Sequence, residues 1–133
     1  MNSLAGHITD IKVHGSLSLV TIGLPKKVTI QSIVIETPET ASYLQMGKPV
    51  KILFKETEVV LGSNENHLIS LQNRIQGIIM EIERGELLTK VTINSLAGKL
   101  TAIIGTDSSN QLGLKKEDEV IAMVKLNEIM LSE

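Results

Sequence analysis

Residues near the start of this chain recur in the same order about 70 positions later, and a repeat of that period constrains the fold more than any other feature. Gly6-His7-Ile8-Thr9-Asp10-Ile11 lies against Gly77-Ile78-Ile79-Met80-Glu81-Ile82, with the Gly, both Ile and the acid in common. Val20-Thr21-Ile22 matches Val91-Thr92-Ile93 letter for letter, and Val28-Thr29 then falls opposite Leu100-Thr101. Phe54-Lys55-Glu56-Thr57-Glu58-Val59-Val60-Leu61 closes one half, and Val124-Lys125-Leu126-Asn127-Glu128-Ile129-Met130-Leu131 closes the other. In this alignment the register slips by two residues between the matches, as loop insertions do. The halves meet at Gly62-Ser63-Asn64-Glu65-Asn66-His67, a polar turn-forming stretch without periodicity. The organisation expected is therefore a first domain over 1–62, a linker over 63–69 and a second domain over 70–133. A unit of roughly 62 residues buries only ~60% of its unfolded surface and is marginal alone. Pairing between units is an expected source of stability.

Within each half the pattern is that of strands. Ile, Val and Thr together fill more than a quarter of the positions, whereas the chain has one Tyr, one Phe and no Trp. β-Branched enrichment of this kind suits half-buried strands. Leu17 to Ile22 and Leu87 to Ile93 read as strands, ended by Gly23 and by Asn94-Ser95. Val28 to Ile35 and Lys99 to Ile104 follow, then Pro49 to Lys55 and Glu119 to Lys125, and each half ends in a short apolar run. Thr37-Pro38-Glu39-Thr40 carries an N-cap residue, a Pro at the first helical position and an early acid. It predicts a short helix to about Leu44. The second half offers a helix over Thr106-Asp107-Ser108-Ser109-Asn110-Gln111-Leu112, stopped by Gly113. The fold class is all-β: two tandem small OB-like five-stranded barrels, each with one short helix.

Composition removes several functions. With no Cys there is no disulfide framework, thiolate nucleophile or Cys-ligated zinc site. The 13 Lys+Arg stand against 15 Asp+Glu, so the surplus of cations and the stacking rings that nucleic-acid binders use are both missing. A small anion is still admissible, because one Lys and a few aimed N–H groups suffice for it. No apolar run approaches the roughly 18 residues of a membrane span. The start, Met1-Asn2-Ser3-Leu4-Ala5-Gly6-His7, is unlike a signal peptide, so a cytoplasmic protein is expected. His7, His14 and His67 lack ligand spacing, and no Ser/His/Asp set, phosphate-cradling Gly loop or buried acid pair stands out. An enzyme is not expected.

One ordered set of segments carries a resemblance. Ser70-Leu71-Gln72-Asn73-Arg74-Ile75-Gln76-Gly77 opens the second half; Leu100-Thr101-Ala102-Ile103-Ile104, Gln111-Leu112-Gly113-Leu114 and Asp118-Glu119-Val120 follow. With the ending Val124 to Leu131, these resemble the Mop domain, the molybdate-binding branch of the TOBE family. The first half, Leu4 to Leu61, is similar more weakly. Two such repeats in one chain look like the two-repeat molbindins, and also like the sensor half of molybdate-responsive regulators. With no helix-turn-helix segment before the first repeat in this sequence, the free-standing molbindin is the expected match. The resemblance implies molybdate or tungstate bound at interfaces between domains, for storage or homeostasis. It also implies self-association, with a trimer favoured over a dimer. Carried over by position, the implied ligand residues are Ser70 and Asn73, then Gly105, Thr106 and Ser108 at the turn into the helix, and Lys125. Lys55 matches Lys125 in the first half, and Thr37 corresponds loosely to Thr106. Two positions depart from the pattern: Gln72 stands where many members carry Arg, and Gly105 where many carry Thr or Ser. Asn2 has only Met1 before it, so Ser70 has no counterpart. The alternative these departures favour is a sensing or protein-interaction module with weakened or lost anion binding.

The chemistry of the implied set suits the ion. Molybdate is a tetrahedral dianion with acceptor oxygens only, so a selective site uses donors: hydroxyls, backbone N–H groups and a Lys ammonium. Gly105 lets the backbone approach closely, and Asp107 is expected to cap the helix and face away. Each residue also has a plainer reading: Thr106 and Ser108 as caps, Lys55 and Lys125 as solvated strand residues, Ser70 and Asn73 as turn residues.

Overall fold

The computed structural model describes residues 1–133. The first half forms β1 (Asn2–His14), β2 (Leu17–Gly23), β3 (Thr29–Val34), β4 (Pro49–Phe54) and β5 (Val60–Ser63). The second forms β6 (Asn73–Arg84), β7 (Leu88–Ser95), β8 (Gly98–Gly105), the helix α1 (Thr106–Leu112), β9 (Glu119–Val124) and β10 (Met130–Ser132). Alternation decides which face each strand buries: in β2 the side chains of Ser18, Val20 and Ile22 point inward, and in β7 those of Thr89, Val91, Ile93 and Ser95 do.

Both long strands bend at the same place. The β1–β2 register shifts between Ile8 and Asp10, and the β6–β7 register shifts between Ile79 and Glu81. An extra residue there kinks the strand and curls the sheet. Two residues before each bulge stands the repeated glycine. A Cβ on Gly77 would lie 2.5 Å from Ile93 Cγ2 and 3.0 Å from Ser95 Cα, and one on Gly6 would collide with the Gly23 carbonyl. Only Gly lets the neighbouring strand cross that closely.

The sheet orders are β10-β4-β1-β2-β3 and β5-β9-β6-β7-β8. The final strands are exchanged between the halves. Met130–Ser132 pairs with Leu53–Lys51 of β4, and Val60–Ser63 pairs with Met123–Val120 of β9. The repeat in sequence and the hydrogen-bonded sheet thus differ in their last strand. One continuous cluster of 25 buried residues runs through both sheets, from Leu4, Ile8 and Phe54 to Ile79, Leu100 and Val124.

Two expectations need correction. The first-half helix over Thr37–Leu44 does not form. Isolated turns replace it, with Thr40 and Ala41 N–H groups both bonded to the Thr37 carbonyl and Leu44 N–H to Ala41. The Thr40 hydroxyl binds both the N–H and the carbonyl of Thr37, competing with a helical ladder. In α1, Gly113 closes the helix at φ 61 and ψ 36, a conformation that costs Gly little. The residue in that place in the first half is Tyr43, for which it is costly. The repeat alignment also shifts. Ile22 pairs with Ile30 and Ile93 with Leu100, so Leu100 answers Ile30 and Thr101 answers Gln31, rather than Val28 and Thr29. The slip is one residue, not two, and falls in the β2–β3 hairpin, where five residues (24–28) do the work of four (95–98).

Candidate functional site

Asn73 opens β6 and is only 3% exposed. Its side-chain amide behaves as a detached peptide group: Oδ1 accepts from Gln31 N–H at 2.8 Å and Nδ2 donates to the Gln31 carbonyl at 2.8 Å. Gln31 lies on β3, the edge strand of the other sheet. Asn2, at the start of β1, clasps Thr101 on the opposite edge strand β8 in the same way, again at 2.8 Å twice. The two Asn residues stitch the sheets together and satisfy edge groups that a buried junction cannot leave unpaired.

Each clasp organises a corner. Asn73 pairs in register with Val124, so Lys125 emerges beside it, exposed, at the start of a 3-10 turn over Leu126–Glu128. Ser70 and Gln72, both exposed, lie on the loop entering β6. Ser70, Asn73 and Lys125 therefore share one corner, next to β3. At the other corner Asn2 pairs with Phe54, and Lys55 emerges exposed before the 3-10 turn Glu56–Glu58, which packs on β8. There Glu56 accepts from the Met1 ammonium at 2.9 Å, and that bond holds its carboxyl below the usual range.

The remaining expected residues lie apart from these. Gly105 is the N-cap of α1 with extended backbone, and no side chain caps the helix, Asp107 included. The Thr106 hydroxyl donates to the Gly85 carbonyl at 2.8 Å and meets Thr89 Oγ1 at 2.9 Å, so it fastens the β6–β7 turn to the helix start. Ser108 is exposed. Gly105 follows Thr101 by four strand residues, about 13 Å. Gly105, Thr106 and Ser108 thus stand at the end of the strand clasped by Asn2, on the side of Lys55 and away from Lys125. Thr37 follows β3, on the side of Asn73 and Lys125; its backbone is engaged with Thr40. Each corner combines residues of both halves.

One residue of the first corner escapes a reading by sequence. Arg74 Nε donates to the Leu71 carbonyl at 2.8 Å, and Nη2 reaches the carbonyls of His67 at 2.5 Å and Ile69 at 3.4 Å. Its acceptors are backbone carbonyls, which no sequence pattern marks. Arg74 and residues 66–72 line a shallow, largely open depression that contains no Asp or Glu. Four other clefts on the chain each include an acid, among them Glu119, Glu83, Asp118 and Glu36. No three His, Cys, Asp or Glu side chains gather as a metal site, and no helix is long and apolar enough to cross a membrane.

Two curled five-stranded sheets, related by a repeat and joined by exchanged strands, define a tandem OB-like protein of the TOBE class. The chain belongs to the TOBE domain family, whose model matches residues 69–131. It is 31% identical over 64 residues to molybdenum-pterin-binding protein 1 of Clostridium pasteurianum, and 33% to protein 2 of that organism. Each of those matches covers 47% of this chain and 94% of the relative. It is 26% identical over 132 residues to the molybdenum transport protein ModE of Azotobacter vinelandii, covering 98% of this chain and 49% of ModE. The chain thus spans about half the length of ModE. The fold is similar to that of the cytoplasmic molybdate-binding protein ModG in a molybdate-bound crystal form. The TM-score is 0.90 at 24% identity, over 98% of this chain and 94% of that one.

Proposed function

We propose that this chain binds molybdate or tungstate as an oxyanion, for storage or homeostasis in the cytoplasm, and that it acts without catalysis. The observation that carries this reading is the 31–33% identity to nearly the whole length of proteins named as molybdenum-pterin-binding. The site residues we assign are Ser70, Asn73 and Lys125 at one corner, and Lys55 with Gly105, Thr106 and Ser108 at the other; Thr37 joins the first. Asn73 holds the sheets while Ser70 and Lys125 face the ion. At the second corner the free groups are Lys55, Ser108 and the Gly105 backbone, because the Thr106 hydroxyl is already engaged. All the groups offered are donors, which a tetrahedral dianion requires.

Residues 1–62 and 70–133, joined by 63–69, serve as the two units, and the sites are completed where copies of the chain meet, a trimer being favoured over a dimer. Leu68 is 95% and Ile69 50% exposed beside Ser70, apolar area suited to a second copy. Nucleic acid and membranes are not among the partners. Calorimetric titration with molybdate, tungstate and sulfate tests the reading: heat with the first two at micromolar concentration supports it, and heat with neither refutes it. Native mass spectrometry with and without molybdate counts subunits and ions together.

A second reading rests on the match of nearly the whole chain to half of ModE. In it the tandem unit is a sensing or protein-interaction module whose anion binding is weakened or lost. Substituting Lys125→Ala and Ser70→Ala leaves its partner binding unchanged in that case.

A further inference from the structure

We propose that Arg74 is the positioning residue of the anion loop: by gathering the carbonyls of His67, Ile69 and Leu71 it turns the intervening peptide N–H groups outward as a donor cradle for an oxyanion. This rests on the reading of the chain as an oxyanion binder, and deepens it.

The argument starts from peptide geometry. In a trans peptide the carbonyl of one residue and the N–H of the next point in opposite directions, and the chain contains no cis peptide. The Arg74 guanidinium draws in the carbonyls of His67, Ile69 and Leu71. The N–H groups of Leu68, Ser70 and Gln72 are thereby aimed away from it. None of the N–H groups from Leu68 to Gln72 donates to an acceptor within the chain. Those three free N–H groups, the Ser70 hydroxyl and the Gln72 amide belong to a surface segment that holds no acid. A run of oriented backbone donors is an anion-binding concavity.

Charge strengthens the arrangement. Carbonyl oxygens facing a dianion repel it, and the guanidinium both removes three of them and places a permanent cation behind the loop. Arg74 stands opposite Met123, two residues before Lys125, so two cations flank the loop. Arg suits the task where Lys does not: its planar fork reaches two or more carbonyls at fixed angles, whereas an ammonium is a point charge. At the corner of Lys55, Ser3 holds the place of Arg74.

The test uses the full chain, sodium molybdate, calorimetry, the thermal midpoint and the amide resonances of residues 68–72. The wild-type resonances of Leu68, Ser70 and Gln72 shift on adding molybdate. In Arg74→Ala the affinity falls about tenfold, those shifts vanish, and the thermal midpoint and subunit number are nearly unchanged. Millimolar guanidinium chloride restores the affinity, and sodium chloride at the same concentration does not. Arg74→Lys, the gentler variant should Arg74→Ala fold poorly, loses several-fold despite keeping its charge. Wild-type affinity in either variant overturns the proposal while the oxyanion reading stands. So does wild-type binding with the 68–72 amides unmoved. No heat and no shifts in the wild type, with tungstate as with molybdate, removes the oxyanion reading and the proposal together.

Discussion

The two corners of this molecule are built from matching residues, yet they differ in charge. Both start from an Asn that clasps the opposite edge strand, and both place a Lys at the mouth of a 3-10 turn. At the corner of Asn73 the turn opens with Leu126, and the entering loop is held by Arg74. At the corner of Asn2 the turn opens with Glu56, whose carboxylate is paired and held ionised. The clasp is structural and tolerates either chemistry. The charge around it decides whether a dianion is attracted or repelled. Duplication thus supplied two equal frames, and divergence left one acid, Glu128, in the turn of the first and two, Glu56 and Glu58, in the turn of the second.

The largest effect is expected where the corners are alike. Asn73→Ala removes two short hydrogen bonds and leaves Gln31 N–H and carbonyl without their partners, at a cost of about 2–3 kcal/mol. Asn2→Ala should cost a similar amount through Thr101. Urea unfolding followed by circular dichroism measures both. Because β5 and β10 are exchanged between sheets, each variant should still unfold in one transition; two separate transitions would show that the halves are energetically independent. The next effect separates the corners. Lys125→Ala should lower molybdate affinity about tenfold, and Lys55→Ala no more than about threefold. Equal losses in calorimetry would mean that the acid at the second corner does not matter. A smaller effect reverses the difference: Glu56→Leu gives the second corner the residue found at the first and should raise its affinity by about threefold or less. Native mass spectrometry reads this as higher ion occupancy at limiting molybdate.

Legibility in the sequence followed period and proximity. The strand character of both halves was readable because alternation and β-branched enrichment act locally; the repeated Gly6 and Gly77 marked the alignment of the halves but not the close strand crossing they permit. The strand exchange was not readable, because Val60–Ser63 and Met130–Ser132 carry the same apolar pattern whichever sheet they join. The helix over 37–44 misled because Thr37-Pro38-Glu39 satisfies every start rule; Tyr43, in place of the glycine that stops α1, was the contrary signal. At the candidate site, position and resemblance single out Asn73 as an ion ligand, whereas its clasp across the sheets has no sequence signature. Its partner Gln31 is an ordinary strand residue whose backbone alone takes part, and no sequence pattern marks a backbone group. Arg74 carries no such pattern either, because its acceptors are backbone carbonyls of the preceding loop.

The smallest effect concerns the connectors rather than the corners, and it tests why one half has a helix and the other does not. In the first half the Tyr43 hydroxyl donates to Glu36 Oε1 at 2.6 Å, tying the turn region back to the residue just past β3. Partial burial, then the hydrogen bond and the charge of Glu36, push the phenol well above its ordinary value of 10.0. A group whose folded value is raised holds its stabilisation below the unfolded value and loses it as pH climbs past it. Stability should therefore be flat with respect to this group at neutral pH and decline only above pH about 10. Tyr43→Phe should remove that alkaline decline and cost about 1 kcal/mol or less at neutral pH, since the bond is partly open to solvent. The chain has one Tyr and no Trp, so tyrosinate absorbance during a pH titration reports this side chain directly. Ionisation at the value of free tyrosine in the folded protein would mean that the Glu36 tie is not maintained. The absence of a helix would then rest on the missing glycine alone.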